Sequence, residues 1–348
     1  MKKVIESFVP QGGKHCITNA LKQIFCYYGH PVSEEMLFGL ASGLSFLYIN
    51  QSAAPMINGR TKVFEFEKKL AERLNIQIKC RTVKDYTKAF DTAKQMIDRD
   101  DPVLIYADMP YLKYLGMDED SHFGGHAVVI FGYDDLSEQF LVSDRDNHDF
   151  QIRIPNGLSS EDYHLVSYEE MKEARSSSYR PFPANNKFLT FDFAGYKEID
   201  SGVLKEAIME TCSNMLNPPA QLLGLNGIMK FSKEILKWDR FTPEKLCKSG
   251  ITNYFQISRD GGTGGGIFRK MYGEFLIEAA AFMNQKSLSV FGQQFLDAAD
   301  KWDEIAEDMW NLSLSGNPEL LKKMSGSAKE LCEIEKQLYE GLKFRLMN

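Results

Sequence analysis

The chain has no excess of positive charge, no paired cysteines and no long apolar run, and each absence removes a class of function. Forty-one Lys and Arg face 48 Asp and Glu, a net charge of −7. A general nucleic-acid binder is normally basic, so that class is disfavoured, and an acidic surface suits a small cationic substrate instead. The six cysteines, at 16, 26, 80, 212, 247 and 332, form no CxxC pair and no dense framework. That pattern fits reduced thiols and a cytoplasmic location. The opening MKKVIESFVPQGG carries two lysines, but Glu6 interrupts it before an apolar core forms, so no signal peptide is expected. Nothing approaches about 18 uninterrupted apolar residues, so no membrane span is expected. Metal ligands are not clustered either: His122 lies four residues before His126, but Gly124 and Gly125 between them argue against a helical metal pair. The run 260-DGGTGGG-266 lacks the Gly-Lys-Ser/Thr of a phosphate loop and the preceding strand of a dinucleotide fingerprint.

What is present is 348 residues, 43% hydrophobic and 26% charged, enough for two domains with separate cores. The first part reads as mixed helix and strand. Helices are expected over 16–29, 33–44, 64–74, 85–99 and 167–176, and strands over 76–83, 103–108, 126–134, 139–144, 150–155 and 187–193. In the first helix, Ile17, Ala20, Leu21, Ile24 and Phe25 share a face. The strands 126–134 and 139–144 are separated by a four-residue polar spacer and read as a hairpin. After about residue 195 the period changes from two to 3.6. Phe291, Phe295, Ala298, Trp302, Ile305 and Met309 form one stripe, and Leu320, Met324, Ala328, Leu331, Ile334, Leu338 and Leu342 another. The expected boundary therefore separates a first domain, 1–194, from a helical domain, 195–348.

Cys16 is the first candidate for chemistry. A helix N-terminus carries unpaired N–H groups and a partial positive charge, and a thiol there ionises more easily. Gly12 and Gly13 before it let the backbone approach a ligand closely. The other five cysteines read as packing residues. A thiolate needs a base, and His126 opens a strand directly after Gly124 and Gly125, which leave room for substrate beside it. The imidazole in turn needs an orienting group. Asp144 ends the partner strand of the hairpin, which brings a carboxylate beside the imidazole. Read singly, His126 is equally a core histidine and Asp144 a turn residue; their joint placement favours the site.

A Gln a few residues before a helix-initiating Cys, then a strand-initiating His, then an Asp about 18 residues on, resembles the papain-like cysteine peptidases of the C39-like group. The resemblance implies Gln11 as oxyanion donor, Cys16 as nucleophile, His126 as base and Asp144 as its orienter. Here the nucleophile sits in His15-Cys16-Ile17, where that group usually has Asp-Cys-Gly, and Gln11 stands five residues before it. The whole chain is more similar to another family. On 12-GGKHCITNAL-21, 124-GGHAVVIFGYDD-135 and 261-GGTGGGIFRKMYGEFLIEAA-280 it resembles the N-terminal domain of butirosin-biosynthesis protein H (BtrH), followed by a helical domain of unknown function. That implies an α+β fold, a papain-like N-terminal domain followed by an all-α domain.

The resemblance also implies an acyltransferase that moves an (amino)acyl group from an acyl carrier protein thioester to an amine acceptor such as an aminoglycoside. No cofactor of the protein's own is implied, since the acyl group rides on the carrier's phosphopantetheine. The expected partners are that carrier protein and a small amine-bearing substrate, and the helical half offers a surface for a homodimer. Gly13, His15, Gly125, Arg269, Tyr272 and Glu278 are placed with the substrate-binding residues. His15 neighbours the nucleophile with its side chain turned elsewhere. Arg269 and Lys270 add positive charge at the start of a helix over 267–284, where a phosphopantetheine arm or a carboxylate would dock beside a flexible glycine-rich connection. Two other classes use the same sequence: a cysteine peptidase or amidase with water as acceptor, and a non-catalytic binding module.

Overall fold

The computed structural model describes residues 1–51, 53–62, 64–145, 153, 162–180 and 182–347. The expected strand 150–155 lies outside the described residues, apart from Arg153. In chain order the elements begin β1 (Lys2–Val4), α1 (Cys16–Tyr27), α2 (Glu34–Leu40), β2 (Leu44–Ile49), β3 (Met56–Arg60) and α3 (Glu65–Leu74). There follow β4 (Gln77–Thr82), α4 (Tyr86–Asp98), β5 (Val103–Ala107), β6 (His126–Asp134), β7 (Gln139–Ser143), β8 (His164–Ser167), α5 (Tyr168–Ser176) and β9 (Lys187–Asp192). The remainder is helical: α6 (Ser201–Leu216), α7 (Gly224–Glu234), α8 (Pro243–Ile257), α9 (Arg269–Phe282), α10 (Lys286–Ser315) and α11 (Leu320–Met347). The fold class is α+β with an all-α C-terminal part.

The chain divides into two compact units: residues 1–37 with 74–197, and residues 38–73 with 198–348. The single boundary expected near residue 195 does not describe this arrangement, because 38–73 packs with the helical unit. The strands β2 and β3 in that segment were not expected. They pair antiparallel as their own two-stranded sheet. The expected helix 33–44 stops at Leu40, where Ser42 takes a positive φ of 47° and the chain turns into β2.

The first unit is built on a seven-stranded sheet, ordered β4-β9-β5-β6-β7-β8, with β1 also paired to β6. Among the described residues its strand pairings are all antiparallel. Strands β5 and β6 are buried along nearly their full lengths. That explains why both read as continuous apolar runs rather than as alternation, since each face is covered. Helix α1 packs against β5 and β6, with Ile17, Ala20, Leu21, Ile24 and Phe25 all buried as the periodicity requires. Strand β4 lies at the sheet edge and is largely exposed, so Cys80 on it is exposed rather than packed. Cys26 near the end of α1 is exposed too, whereas Cys212 and Cys332 are buried.

In the helical unit α10 packs on α8, α9 and α11. From its expected stripe Phe295, Ala298, Trp302, Ile305 and Met309 are buried. The α9–α10 crossing is set by two glycines. A Cβ on Gly273 would lie 2.8 Å from the Gly292 carbonyl oxygen, and one on Gly292 would lie 2.7 Å from the Gly273 carbonyl oxygen. Backbone therefore meets backbone there, and any side chain forces the helices apart. Gly292→Val should destabilise this unit by about 1–3 kcal/mol through overpacking, read as a lower denaturant midpoint; an unchanged midpoint would contradict the close crossing.

Candidate active site

Cys16 is the first residue of α1. His15 precedes it in an extended conformation (φ −135°, ψ 132°), and its carbonyl accepts the Asn19 N–H at 2.8 Å to close the first turn. No acidic residue occupies that turn. The half-buried Cys16 thiol is a hydrogen-bond partner of the His126 imidazole. His126 Nε2 lies 2.6 Å from Asp144 Oδ2. With Nε2 committed to the carboxylate, Nδ1 is the nitrogen left to serve the thiol.

These side chains meet because of a defect in the hairpin. Near the turn β6 and β7 pair Asp134 with Gln139, Tyr133 with Phe140 and Gly132 with Leu141; beyond it they pair Ile130 with Val142 and Val129 with Ser143. Phe131 is thus an extra residue in β6. Continued without this bulge, the first register sets Asp144 opposite Val129, on the face away from His126. With the bulge, Asp144 falls opposite Val128, and His126 is two residues along on the same face. A one-residue slip reverses faces in a period-two strand, so the bulge is what aims the pair at each other.

His126 and Asp144 are 2% and 3% exposed, so their charges are settled by each other rather than by water. Burial alone disfavours both ions. The Asp144 carboxylate, by charge and by hydrogen bond, outweighs that and raises the imidazole well above its ordinary range. The imidazolium and further donors likewise hold Asp144 below the usual carboxylate range. Those donors are the Tyr114 hydroxyl to Oδ2 at 2.7 Å and the Arg145 N–H to Oδ1 at 2.6 Å.

A polar frame not identified from the sequence holds these parts. Asn19 Nδ2 donates to the carbonyls of Gln11 (2.9 Å) and Asp144 (3.3 Å). One turn on, Gln23 Oε1 accepts the Gln11 N–H at 3.1 Å and the Ser143 hydroxyl at 2.6 Å. The Gly13 N–H donates to the Arg145 carbonyl at 3.0 Å. The segment before the nucleophile is therefore tied directly to the end of β7. The buried Glu34 carboxylate accepts the N–H groups of Lys14 (2.8 Å) and His15 (3.1 Å) and the Thr18 hydroxyl (2.8 Å). Burial raises its pKa, against the pull of these donors. The available signal was Asn19 and Gln23 at i, i+4 on an otherwise apolar helix face; nothing in the sequence marked Tyr114 or Glu34.

The remaining sequence-derived residues fall as follows. Gln11 is half-buried, with its backbone pinned by Gln23 and Asn19. A Cβ on Gly13 would sit 2.6 Å from Asn19 Oδ1 and closer still to Glu34 Oε2. Its missing side chain thus makes room for the protein's own side chains. His15 is buried, its Nδ1 3.3 Å from the Thr18 hydroxyl. Gly125 is half-buried beside the Phe123 ring.

The second set lies in the helical unit. Arg269 is 0% exposed and makes a two-pronged ion pair with Glu335, both contacts 2.9 Å. Glu335 also accepts the Trp302 indole N–H at 2.7 Å. This guanidinium is an internal structural charge, not one presented to a docking anion. Tyr272 is fully buried against Phe275 and Phe295, and Glu278 is half-buried on α9. The glycine-rich run is no flexible connection. Residues 262–268 are buried, and Gly262, Gly264, Gly265 and Gly266 all take positive φ. The Gly266 N–H donates to Asp303 Oδ1 at 2.6 Å, and Lys270 pairs with Asp300 and Asp303. The protein's own carboxylates thus fill the expected anion site. Among the described residues no group of three or more His, Cys, Asp or Glu is placed to hold a metal ion, and no helix is long and apolar enough to cross a membrane.

Two substitutions test these assignments. Gly13→Ala should displace Glu34 or the turn above it and lower stability by about 1–3 kcal/mol, measured by chemical denaturation. Arg269→Met leaves Glu335 charged and unpaired in the core and should cost about 3–5 kcal/mol; a variant as stable as the parent would contradict the buried pair.

No curated protein matches the chain. Residues 15–145 match the family described as butirosin biosynthesis protein H, N-terminal, a span that runs from one residue before Cys16 to one beyond Asp144. Residues 169–342, half of the chain, match a domain of unknown function, DUF4872. The chain belongs to the BtrH-like family, in which a butirosin-biosynthesis-protein-H N-terminal domain is followed by a DUF4872 domain.

Proposed function

We propose that this protein is a cysteine-dependent acyltransferase, with Cys16 as nucleophile, His126 as proton carrier and Asp144 as the group that holds His126. The observation that carries the reading is the buried 2.6 Å His126–Asp144 pair whose imidazole is also the hydrogen-bond partner of the Cys16 thiol, within the span matched by a family named for an antibiotic-biosynthesis protein.

The chemistry proceeds in two balanced steps. Cys16 Sγ, its proton held on His126, attacks the carbonyl carbon of an acyl thioester on a carrier's phosphopantetheine. The carbonyl–pantetheine C–S bond breaks, and the departing sulfur takes the proton from the His126 imidazolium. This exchange of one thioester for another is nearly isoenergetic. An amine then attacks the acyl-Cys16 carbonyl, and His126 removes the amine's proton as the C–N bond forms. Cys16 thiolate leaves, and the ion pair is restored. The Gln11 side chain is assigned to stabilise the carbonyl oxygen as charge develops on it. The net charge of −7 suits an amine-bearing acceptor of positive charge.

Intact mass spectrometry with a panel of acyl-pantetheine and acyl-carrier thioesters tests the reading. One acyl adduct on the wild type and none on Cys16→Ala is expected, discharged faster by amines than by water. Discharge by water alone would make the protein a hydrolase. No adduct across the panel would remove Cys16 from the role. The pH dependence follows from the buried pair. Because Asp144 raises His126, the ion pair persists through neutral pH and is lost on the alkaline side. Asp144→Asn should move the alkaline limb of the acylation rate down by about one unit or more and lower the rate by about 10²-fold or more; an unmoved limb would contradict the pairing.

A further inference from the structure

We infer that Tyr114 is a positioning residue for the proton on His126, acting through Asp144. The inference rests on the acyltransferase reading and goes beyond it, since nothing in the sequence pattern or the family match points to Tyr114.

Tyr114 lies in a short 3-10 turn, Lys113–Leu115, between β5 and β6. Its hydroxyl donates to Asp144 Oδ2 at 2.7 Å, the same oxygen that lies 2.6 Å from His126 Nε2. One carboxylate oxygen therefore serves two donors, while the other takes the Arg145 N–H. The phenol ring stacks face to face on the buried His164 ring, centroids 3.8 Å apart and planes at 5°. His164 opens β8 and pairs with Val142 in β7, two residues before Asp144. The stack thus fixes the phenol from the strand next to the one that ends at Asp144. The titratable groups facing His126 include Cys16 and Asp144; those facing Tyr114 include Asp144 and His164, and the neighbouring Lys113 is paired with Glu170.

The physical consequence has a definite sign. A hydrogen bond to a carboxylate spreads its charge and weakens its hold on a second donor. Tyr114 stabilises the Asp144 anion most when His126 is neutral and the anion would otherwise stand with fewer donors. Removing the hydroxyl therefore favours protonated His126. In the proposed reaction the imidazolium must surrender its proton to the departing pantetheine sulfur. Tyr114 keeps that proton transferable, whereas Asp144 alone would hold it too tightly.

The test is Tyr114→Phe, which removes only the hydroxyl and keeps the stack on His164. Carbon-13 histidine spectra across a pH series, with the His126 resonance assigned using His126→Gln, read its titration midpoint directly. An upward shift of about half a unit to one unit is expected, with acylation of Cys16 by an acyl-pantetheine slowed about three- to tenfold. His164→Phe, which keeps both stack and hydroxyl, should leave the midpoint in place. An unmoved or lowered midpoint in Tyr114→Phe, with Cys16 still acylated in the wild type, overturns the role of Tyr114 and leaves the parent reading standing. An equal shift in His164→Phe overturns it as well, because the effect would then be general disturbance. Failure of wild-type Cys16 to acylate at all removes the parent reading and this inference together.

Discussion

A carboxylate that is almost entirely out of water has to be compensated where it stands, and Asp144 is compensated by the groups that make the candidate site. The His126 imidazole, the Tyr114 hydroxyl and the Arg145 N–H converge on its two oxygens. An isolated ion at that depth would cost many kcal/mol and would protonate instead. Ionisation of Asp144 is therefore coupled to protonation of His126, and protonated His126 is the partner that suits a thiolate at Cys16. The electrostatics of the site are one linked problem.

The fold is arranged to keep that problem solved. The bulge at Phe131 aims His126 and Asp144 to one face of the sheet. Helix α1 rests on the strand that bears His126 and starts at the nucleophile. Asn19, Gln23 and Glu34 fasten the turn before that helix to the end of β7 and to α2. The nucleophile and its base come from distant parts of the chain, and the polar frame joins them with hydrogen bonds between buried groups.

How much of this was legible depended on where the signal resides. The stripe on α1 follows from side-chain period and the strands β5, β6 and β7 from short apolar runs bounded by turn residues, and the pairing of His126 with Asp144 follows from the hairpin they form. The reason the pairing works was not legible: a bulge is a one-residue count between two strands, and neither strand shows it alone. Which unit residues 38–73 join depends on long-range packing, and β2 is a short run, LSFLYI, with one polar residue and no polar–apolar alternation to mark it. Arg269 looked like an anion anchor because it follows glycines at a helix start. Its partner, Glu335, is 66 residues away on another helix, and no local pattern announces it. Tyr114 and Glu34 were missed for the same reason, since each acts through a contact made only in three dimensions.

The central claim is that Cys16 is activated by His126 and Asp144, and the chain contains its own controls. Cys26 and Cys80 are exposed, whereas Cys16 is half-buried. Accessibility alone therefore predicts that Cys16 reacts slowest of the three. The direct measurement is competitive alkylation with limiting iodoacetamide near pH 6, with each site quantified by peptide mass spectrometry. The account predicts that Cys16 is modified about tenfold or more faster than Cys26 and Cys80, and that the advantage disappears in His126→Gln. Slower modification of Cys16 than of both exposed cysteines would contradict it.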